Sequence, residues 1–432
     1  MRPPTDTKQM NVSTMSTFVF LCITMCLCVI PTRASDRIAS LIELYDAKQF
    51  FNLRDSVQQI GTIDDPHIDF YRGAVLNKFN DLDAAIEHLQ RFLFRIQPVD
   101  TTLVIEAHSL LGDSYFKSFD YAFAESTYHH LVTHYGPAMD SARLADAQNM
   151  MTILTHLGGV PPQEVRIEQS FELQLRGGLV PLTLNGQSHA LAFDTGANLS
   201  VLIRSLAHQL ELDVMHAGIE VSTISGKRIM ADLAVVDSVQ IGQAFVQNAI
   251  FLILDDSAMY IPQADFQIEG LIGFPVISGL GQLTWTGPQS LRVPESPQEC
   301  TENNLCLDGL TPLIAGTFRD NRLIFAFDSG ADRTVFYRPF YNTFREYLEP
   351  RCVTDTESVI GVGGYRNIPA CRIDSIRLTL AAQPVVLDSA VILKGKSIDD
   401  SEYYFGNIGR DATDRFEAII LNFESMCIQF HE

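Results

Sequence analysis

Residues 191–202 read LAFDTGANLSVL, and residues 325–336 read FAFDSGADRTVF. Each stretch places one carboxylate, Asp194 or Asp328, at the end of an apolar run that turns at once into a hydroxyl residue, a glycine and an alanine. A single triplet of this kind says little. Two of them, in the same apolar setting and 134 positions apart, mark an internal duplication of a β-rich unit.

The features that follow each aspartate recur in the same order. Thr223-Ile224-Ser225-Gly226 answers to Gly361-Val362-Gly363-Gly364, and strands are expected after them over 233–241 and 371–380. Glu269-Gly270-Leu271-Ile272-Gly273 answers to Phe405-Gly406-Asn407-Ile408-Gly409, the last glycine lying 79 residues beyond Asp194 and 81 beyond Asp328. Each copy closes on an expected strand, 282–285 and 419–423. Asn185-Gly186 and Asp320-Asn321 read as two-residue hairpin turns that feed the aspartate strands.

Together these motifs resemble the aspartic proteases over about residues 165–432, as two concatenated all-β lobes. Two lobes on one chain is the pepsin arrangement, whereas Gly409-Arg410-Asp411 is similar to the retropepsin version; the first copy departs from it with Gly273-Phe274-Pro275. The resemblance implies that Asp194 and Asp328 form a catalytic pair, with Thr195, Gly196, Ser329 and Gly330 supporting the two loops. It also implies that Ser225, Gly226, Gly363 and Gly364 sit at the tips of flaps folding over an extended polypeptide substrate. No Tyr occupies the first tip, unlike the pepsin pattern, and Tyr365 is the aromatic candidate in the second. Water would be the nucleophile, with no cofactor and no metal.

Physical chemistry gives the pair its logic. Two carboxyls in contact cannot both ionise, so they hold one shared proton and can act as acid and base together. Ala192-Phe193 and Ala326-Phe327 are expected to keep water away from them. Many pepsin-type enzymes carry Ser or Thr after the triplet, where this chain has Ala197 and Ala331. Alanine cannot donate to a carboxylate, so activity is expected to extend to less acidic pH.

Residues 36–157 have a different texture, with 3.6-residue apolar periodicity and few glycines. Gly73, Leu76, Asp81, Ala85 and Leu89 match Gly112, Tyr115, Asp120, Ala124 and Tyr128 at a period of 39, which resembles tetratricopeptide repeats. A third helical pair is expected over 38–60. Such a stack is expected to offer a groove to a protein partner. The domain plan is therefore a leader over 1–34, helical repeats over 36–157, protease lobes over 165–293 and 319–432, and an inter-lobe link over 294–318. Gly158-Gly159-Val160-Pro161-Pro162 punctuates the change from helix to strand.

The leader reading rests on Thr17–Ile30, an apolar run of 14 after Arg2 and Lys8, with Thr32-Arg33-Ala34 as a cleavage site. That run is short for a membrane span, so the mature chain is expected to be secreted or periplasmic, without stable membrane insertion, ahead of the alternative that the segment is retained as a signal anchor. With 31 Lys plus Arg against 52 Asp plus Glu, the formal charge is −21, which disfavours nucleic acid as a partner. Five cysteines follow the leader, and Cys300 with Cys306 and Cys352 with Cys371 are the expected bridges among several pairings that five residues allow. The eleven histidines show no metal-binding spacing. Asn198-Leu199-Ser200 abuts the expected cleft and is expected to carry no glycan. A function from another class, a noncatalytic peptide-binding scaffold that uses the lobes as a clamp, is disfavoured by intact acids in both copies.

Overall fold

The computed structural model describes residues 34–61, 63–97, 100–223, 226, 228–262, 265–300, 302–396 and 403–432. The expected leader up to Arg33, and Ser225, lie outside the described residues, whereas Ala34 already opens the first helix. The chain folds as an all-α N-terminal part followed by two β lobes.

The α part begins with three helical hairpins: Ala34–Asp46 with Phe50–Ile60, Pro66–Lys78 with Leu82–Arg95, and Thr101–Lys117 with Tyr121–Tyr135. A further helix, Ser141–His156, follows. Aspartates open several of these helices: Asp65 accepts from His67 N, Asp100 from Thr102 N and Leu103 N, and Asp140 from Ala142 N and Arg143 N. The helices reverse direction through Lys48, Asn80 and Phe119, all with positive φ. Each reversal is closed by the same bond, Gln49 N to Leu44 O at 2.8 Å, Asp81 N to Leu76 O and Asp120 N to Tyr115 O, both at 2.9 Å. The glycines of the 39-residue match explain the close packing of the pairs. A Cβ on Gly73 would lie 2.7 Å from Leu89 Cγ, and one on Gly112 2.6 Å from Tyr128 Cε2.

Each lobe contains an eight-stranded sheet. In the first, the aspartate strand Gln187–Phe193 runs parallel to Gly270–Ile272, pairing Ala192 with Leu271 and Phe193 with Ile272. In the second, Asn321–Phe327 runs parallel to Gly406–Ile408, pairing Ala326 with Asn407 and Phe327 with Ile408. The short strand is antiparallel on its other side to the segment leaving the aspartate, Ser200–Ile203 or Val335–Phe336. The hairpin feeding the first aspartate strand turns at Asn185 and Gly186, both with positive φ, whereas the second turns at Arg319 and Asp320, one residue earlier than expected. Short helices follow the glycine element in both copies, Phe274–Gly279 and Arg410–Thr413, so proline at position 275 is compatible with a helical turn.

A five-stranded sheet joins the lobes. Its centre pairs Gln282–Thr286 with Ala418–Asn422, the closing strands of the two copies, with Thr284 opposite Ile420. Leu305–Asp308 and Thr311–Phe318, inside the expected link, are strands of the second lobe's sheet. Cys300 is bonded to Cys427 rather than to Cys306, and Cys352 to Cys371. Cys306 is a free, buried thiol on a strand buried on both faces, while Cys427 begins the edge strand of the inter-lobe sheet.

The α part is fastened to both lobes. The Asp308 carboxylate receives Lys48 Nζ at 2.7 Å and Lys78 Nζ at 2.6 Å, with Tyr404 Oη also donating to it. Asn149 bonds both backbone groups of Glu220, donating to its carbonyl at 3.1 Å and accepting from its N–H at 3.3 Å. Asn149 thereby satisfies backbone groups on the outer strand of the first lobe's long hairpin.

Candidate active site

The two aspartates emerge from equivalent corners. Asp194 N donates to Ile272 O and Asp328 N to Ile408 O, each at 3.1 Å, so the parallel strand pair continues one residue into the turn. The turns close through Ala197 N to Asp194 O and Ala331 N to Asp328 O, each at 3.2 Å. Ser200 Oγ and Thr334 Oγ1 accept from Gly273 N at 3.0 Å and Gly409 N at 3.1 Å, repeating the duplication at atomic level.

What joins the corners is a reciprocal hydroxyl exchange. Thr195 Oγ1 donates to Phe327 O at 2.9 Å and accepts from Ser329 N at 2.9 Å. Ser329 Oγ donates to Phe193 O and accepts from Thr195 N, both at 3.1 Å. Thr195 is wholly buried. Thr195→Val keeps its shape but leaves Phe327 O and Ser329 N without their partner, and is expected to cost about 1–3 kcal/mol of stability. Chemical denaturation of this variant beside Ser329→Ala checks it, the half-buried serine costing less because water can replace it.

Gly196 and Gly330 let the acids meet. A Cβ on Gly196 would lie 2.8 Å from Asp328 Cγ, and one on Gly330 2.8 Å from Asp194 Cγ. Each carboxyl thus stands against the other's glycine, within reach of the other's charge. Burial raises the Asp194 carboxyl well above the ordinary range, and the charge of Asp328 raises it further, against the lowering effect of Gly196 N donating to Asp194 Oδ1 at 2.8 Å. Asp328 is held by more donors: Gly330 N at 2.8 Å and Ala331 N at 3.1 Å on Oδ1, and Asn407 Nδ2 at 2.9 Å on Oδ2.

The flap candidates sit on two long hairpins, Met215–Ser222 with Arg228–Ile241, and Val353–Gly361 with Gly364–Leu380. Their tips meet. A Cβ on Gly363 would strike Thr223 Cγ2 at 2.6 Å, and Gly226 lies against Arg366 of the other hairpin. Gly363 N donates to Ala258 O at 3.0 Å, and Gly363 and Gly364 both have positive φ in the turn, which glycine adopts without strain. Gly226 turns through its own bond to Thr223 O at 2.8 Å. Tyr365 is 56 % exposed and faces Ile360 across its hairpin. Asn198 is exposed, its Oδ1 accepting from Thr311 Oγ1 at 3.3 Å.

Two functional contributions are not anticipated from the sequence. Asn407 reads there only as part of an apolar-glycine element, though a polar residue where the other copy has Leu271 is a legible signal. Asp308 has none, since its lysines are 260 and 230 residues away in sequence. Among the described residues no group of His, Cys, Asp and Glu is arranged to hold a metal ion.

Comparison with known proteins adds a family match over part of the chain. A family model described as aspartyl protease matches residues 180–276, which span the first aspartate strand, its turn, the first long hairpin and the Gly270–Gly273 element. No curated protein matches the chain. Among solved structures, a retropepsin-like aspartic protease from Rickettsia conorii is similar at 19 % identity, covering 30 % of this chain and 93 % of its own, with a TM-score of 0.21.

Proposed function

We propose that this chain is an aspartic endopeptidase that hydrolyses polypeptides with water activated between Asp194 and Asp328. The observation that carries the reading is the Thr195–Ser329 exchange, which holds two acids in contact although each alone would be better solvated apart. A binding clamp has no use for that arrangement. The family match over residues 180–276 supports the same reading.

The chemistry follows from one proton shared by two carboxyls. The ionised member takes a proton from water as the water oxygen adds to the peptide carbonyl, and the protonated member gives its hydrogen to the carbonyl oxygen. In the tetrahedral diol that results, the C–N bond breaks as the nitrogen takes the proton gained by the first carboxyl. A diol hydroxyl returns its proton to the second, restoring the starting state. No covalent bond to the protein forms. The two hairpins, with Gly226, Gly363 and Gly364 at their tips, close over the extended peptide, and backbone groups there bind it as an added strand.

Supporting a location outside the cytosol are the Cys300–Cys427 and Cys352–Cys371 bridges and the leader-type segment. No helix among the described residues is long and apolar enough to cross a membrane. Packing through Gly73 and Gly112 supports a tetratricopeptide-like domain, with a protein partner on the faces that Asp308 leaves open.

Incubation with a mixed peptide library, with and without a statine-type inhibitor, tests the activity. The raised Asp194 carboxyl sets the pH dependence: the acid form survives as pH climbs past the usual carboxyl range, and activity falls only when the shared proton leaves. Cleavage is therefore expected to persist well above about pH 4, the ordinary carboxyl value. A profile confined below that value would count against this account of the dyad.

A further inference from the structure

Within the duplicated corners, one difference touches the carboxyls themselves. Asn407 and Leu271 hold the same register, opposite Ala326 and Ala192 on the aspartate strands. Asn407 donates to Asp328 Oδ2 at 2.9 Å, and Leu271 can donate nothing to Asp194. Asn407 Oδ1 is buried with no hydrogen-bond partner among the described residues, so the bond to Asp328 is the one that orients the amide. Turning it over would set an oxygen against Oδ2, acceptor to acceptor, unless that carboxyl carried the proton.

Resting on the proteolytic reading above, we propose that Asn407 is a positioning residue that assigns the two roles within the pair: Asp328 is the ionised base that activates water, and Asp194 is the acid that carries the proton. A donor on one carboxyl only must favour the anion there, and Asn407 Nδ2 is the unmatched one, since Gly330 N and Ala331 N at Asp328 answer to Gly196 N and Ala197 N at Asp194. The raised Asp194 carboxyl agrees with this division. Other charged groups around the corner are engaged elsewhere. Arg410, from the helix after the glycine element, pairs with Asp332 of the Asp328 turn. Asp411 of that helix accepts from Thr334 N at 2.6 Å and Thr334 Oγ1 at 2.7 Å. Arg333, in the turn, reaches Glu357 of the second hairpin, which also binds Arg372. From the opposite lobe, the titratable group facing Asp328 is Asp194; Arg366, on the second lobe's own hairpin, lies beside Gly226.

The two limbs of the pH–rate profile separate the alternatives. In Asn407→Leu, which copies the residue the first lobe carries at this register, the anion on Asp328 loses one donor. If Asp328 is the ionised member, the donor stabilises both the singly and the doubly ionised pair. Only the first ionisation then becomes harder, so the acidic limb of kcat/KM moves up by about one pH unit while the alkaline limb stays. If Asp328 instead carries the proton, the alkaline limb moves and the acidic limb stays. Full-length wild type, Asn407→Leu and Asn407→Ala are to be compared on one fluorogenic peptide, with melting curves to select the variant that is folded. An acidic limb that moves alone supports the assignment. An unmoved profile, or a shift of the alkaline limb, overturns it while leaving the protease reading intact. A wild-type protein that cleaves no peptide at any pH overturns the protease reading, and this assignment with it.

Discussion

Asp194→Asn and Asp328→Asn are each expected to abolish cleavage, lowering kcat/KM by roughly a thousandfold or more, since acid–base catalysis of this kind supplies up to about 10⁴. Neither change should unfold the protein. The amide is the same size, and it removes the repulsion that burial and the neighbouring charge impose on Asp194. The sign of the stability effect is fixed by linkage. Because the folded-state value of Asp194 is raised, wild type is favoured below the ordinary carboxyl value and loses that stability as pH rises through the raised one. An amide at this position cannot ionise, so Asp194→Asn escapes this loss and is expected to melt at or above the wild-type temperature at neutral pH. Peptide cleavage and calorimetry on the same preparations check both halves. Residual cleavage in both variants would assign the activity to another site, and an inactive variant that melts early would show only that the corner had collapsed.

The second large effect lies far from the dyad, at Asp308. Removing this carboxylate takes from Lys78, only 7 % exposed, its ion-pair partner and brings it beside the Lys48 ammonium that shared the same carboxylate. Breaking such a buried cluster from one side costs about 3–5 kcal/mol. Asp308→Ala is expected to lower the denaturation midpoint accordingly and to expose the junction between the helical hairpins and the second lobe to proteolysis. Burial by itself would raise the Asp308 carboxyl, but Lys78 and Lys48 outweigh it and hold it well below the usual range. A depressed value contributes stability above the unfolded pKa, and that stability is lost as pH falls below about 4 towards the folded value. Acid should therefore loosen this junction in wild type, while Asp308→Ala loses less on acidification. An unchanged midpoint in Asp308→Ala would mean that the helical part is held by its other contacts and that this ion pair adds nothing to them.

These expectations differ in how they could be reached. The dyad was legible because duplication writes the same local chemistry twice: an apolar strand, an acid, a hydroxyl and a glycine must recur wherever the same corner recurs. The helical hairpins were legible for a similar reason, the 39-residue match falling on Gly73 and Gly112, where a side chain would strike the partner helix. The turn before the second aspartate was displaced by one residue, because Asp320-Asn321 and Arg319-Asp320 are near-equal candidates until the strand register selects one. Cys300 shows the limit more sharply. Proximity along the chain favoured Cys306, but Cys306 is fixed in a strand of the second lobe's sheet and the edge of the inter-lobe sheet brings Cys427 beside Cys300 instead.

Without coordinates, the chain already contains its two aspartates, their braces, the order of the elements and the change from helix to strand near Gly158, since each of these depends on neighbours within a few residues or on a repeated pattern. Folding alone brings Asn407 to Asp328, Lys48 and Lys78 to Asp308, Asn149 to Glu220, and one hairpin tip to the other. Apart from the element that carries Asn407, which the duplication repeats, those contacts join segments whose separation in sequence carries no periodic or compositional trace. A hydrogen bond or ion pair acts over about 3 Å, and only the packed chain determines which distant groups come within that reach.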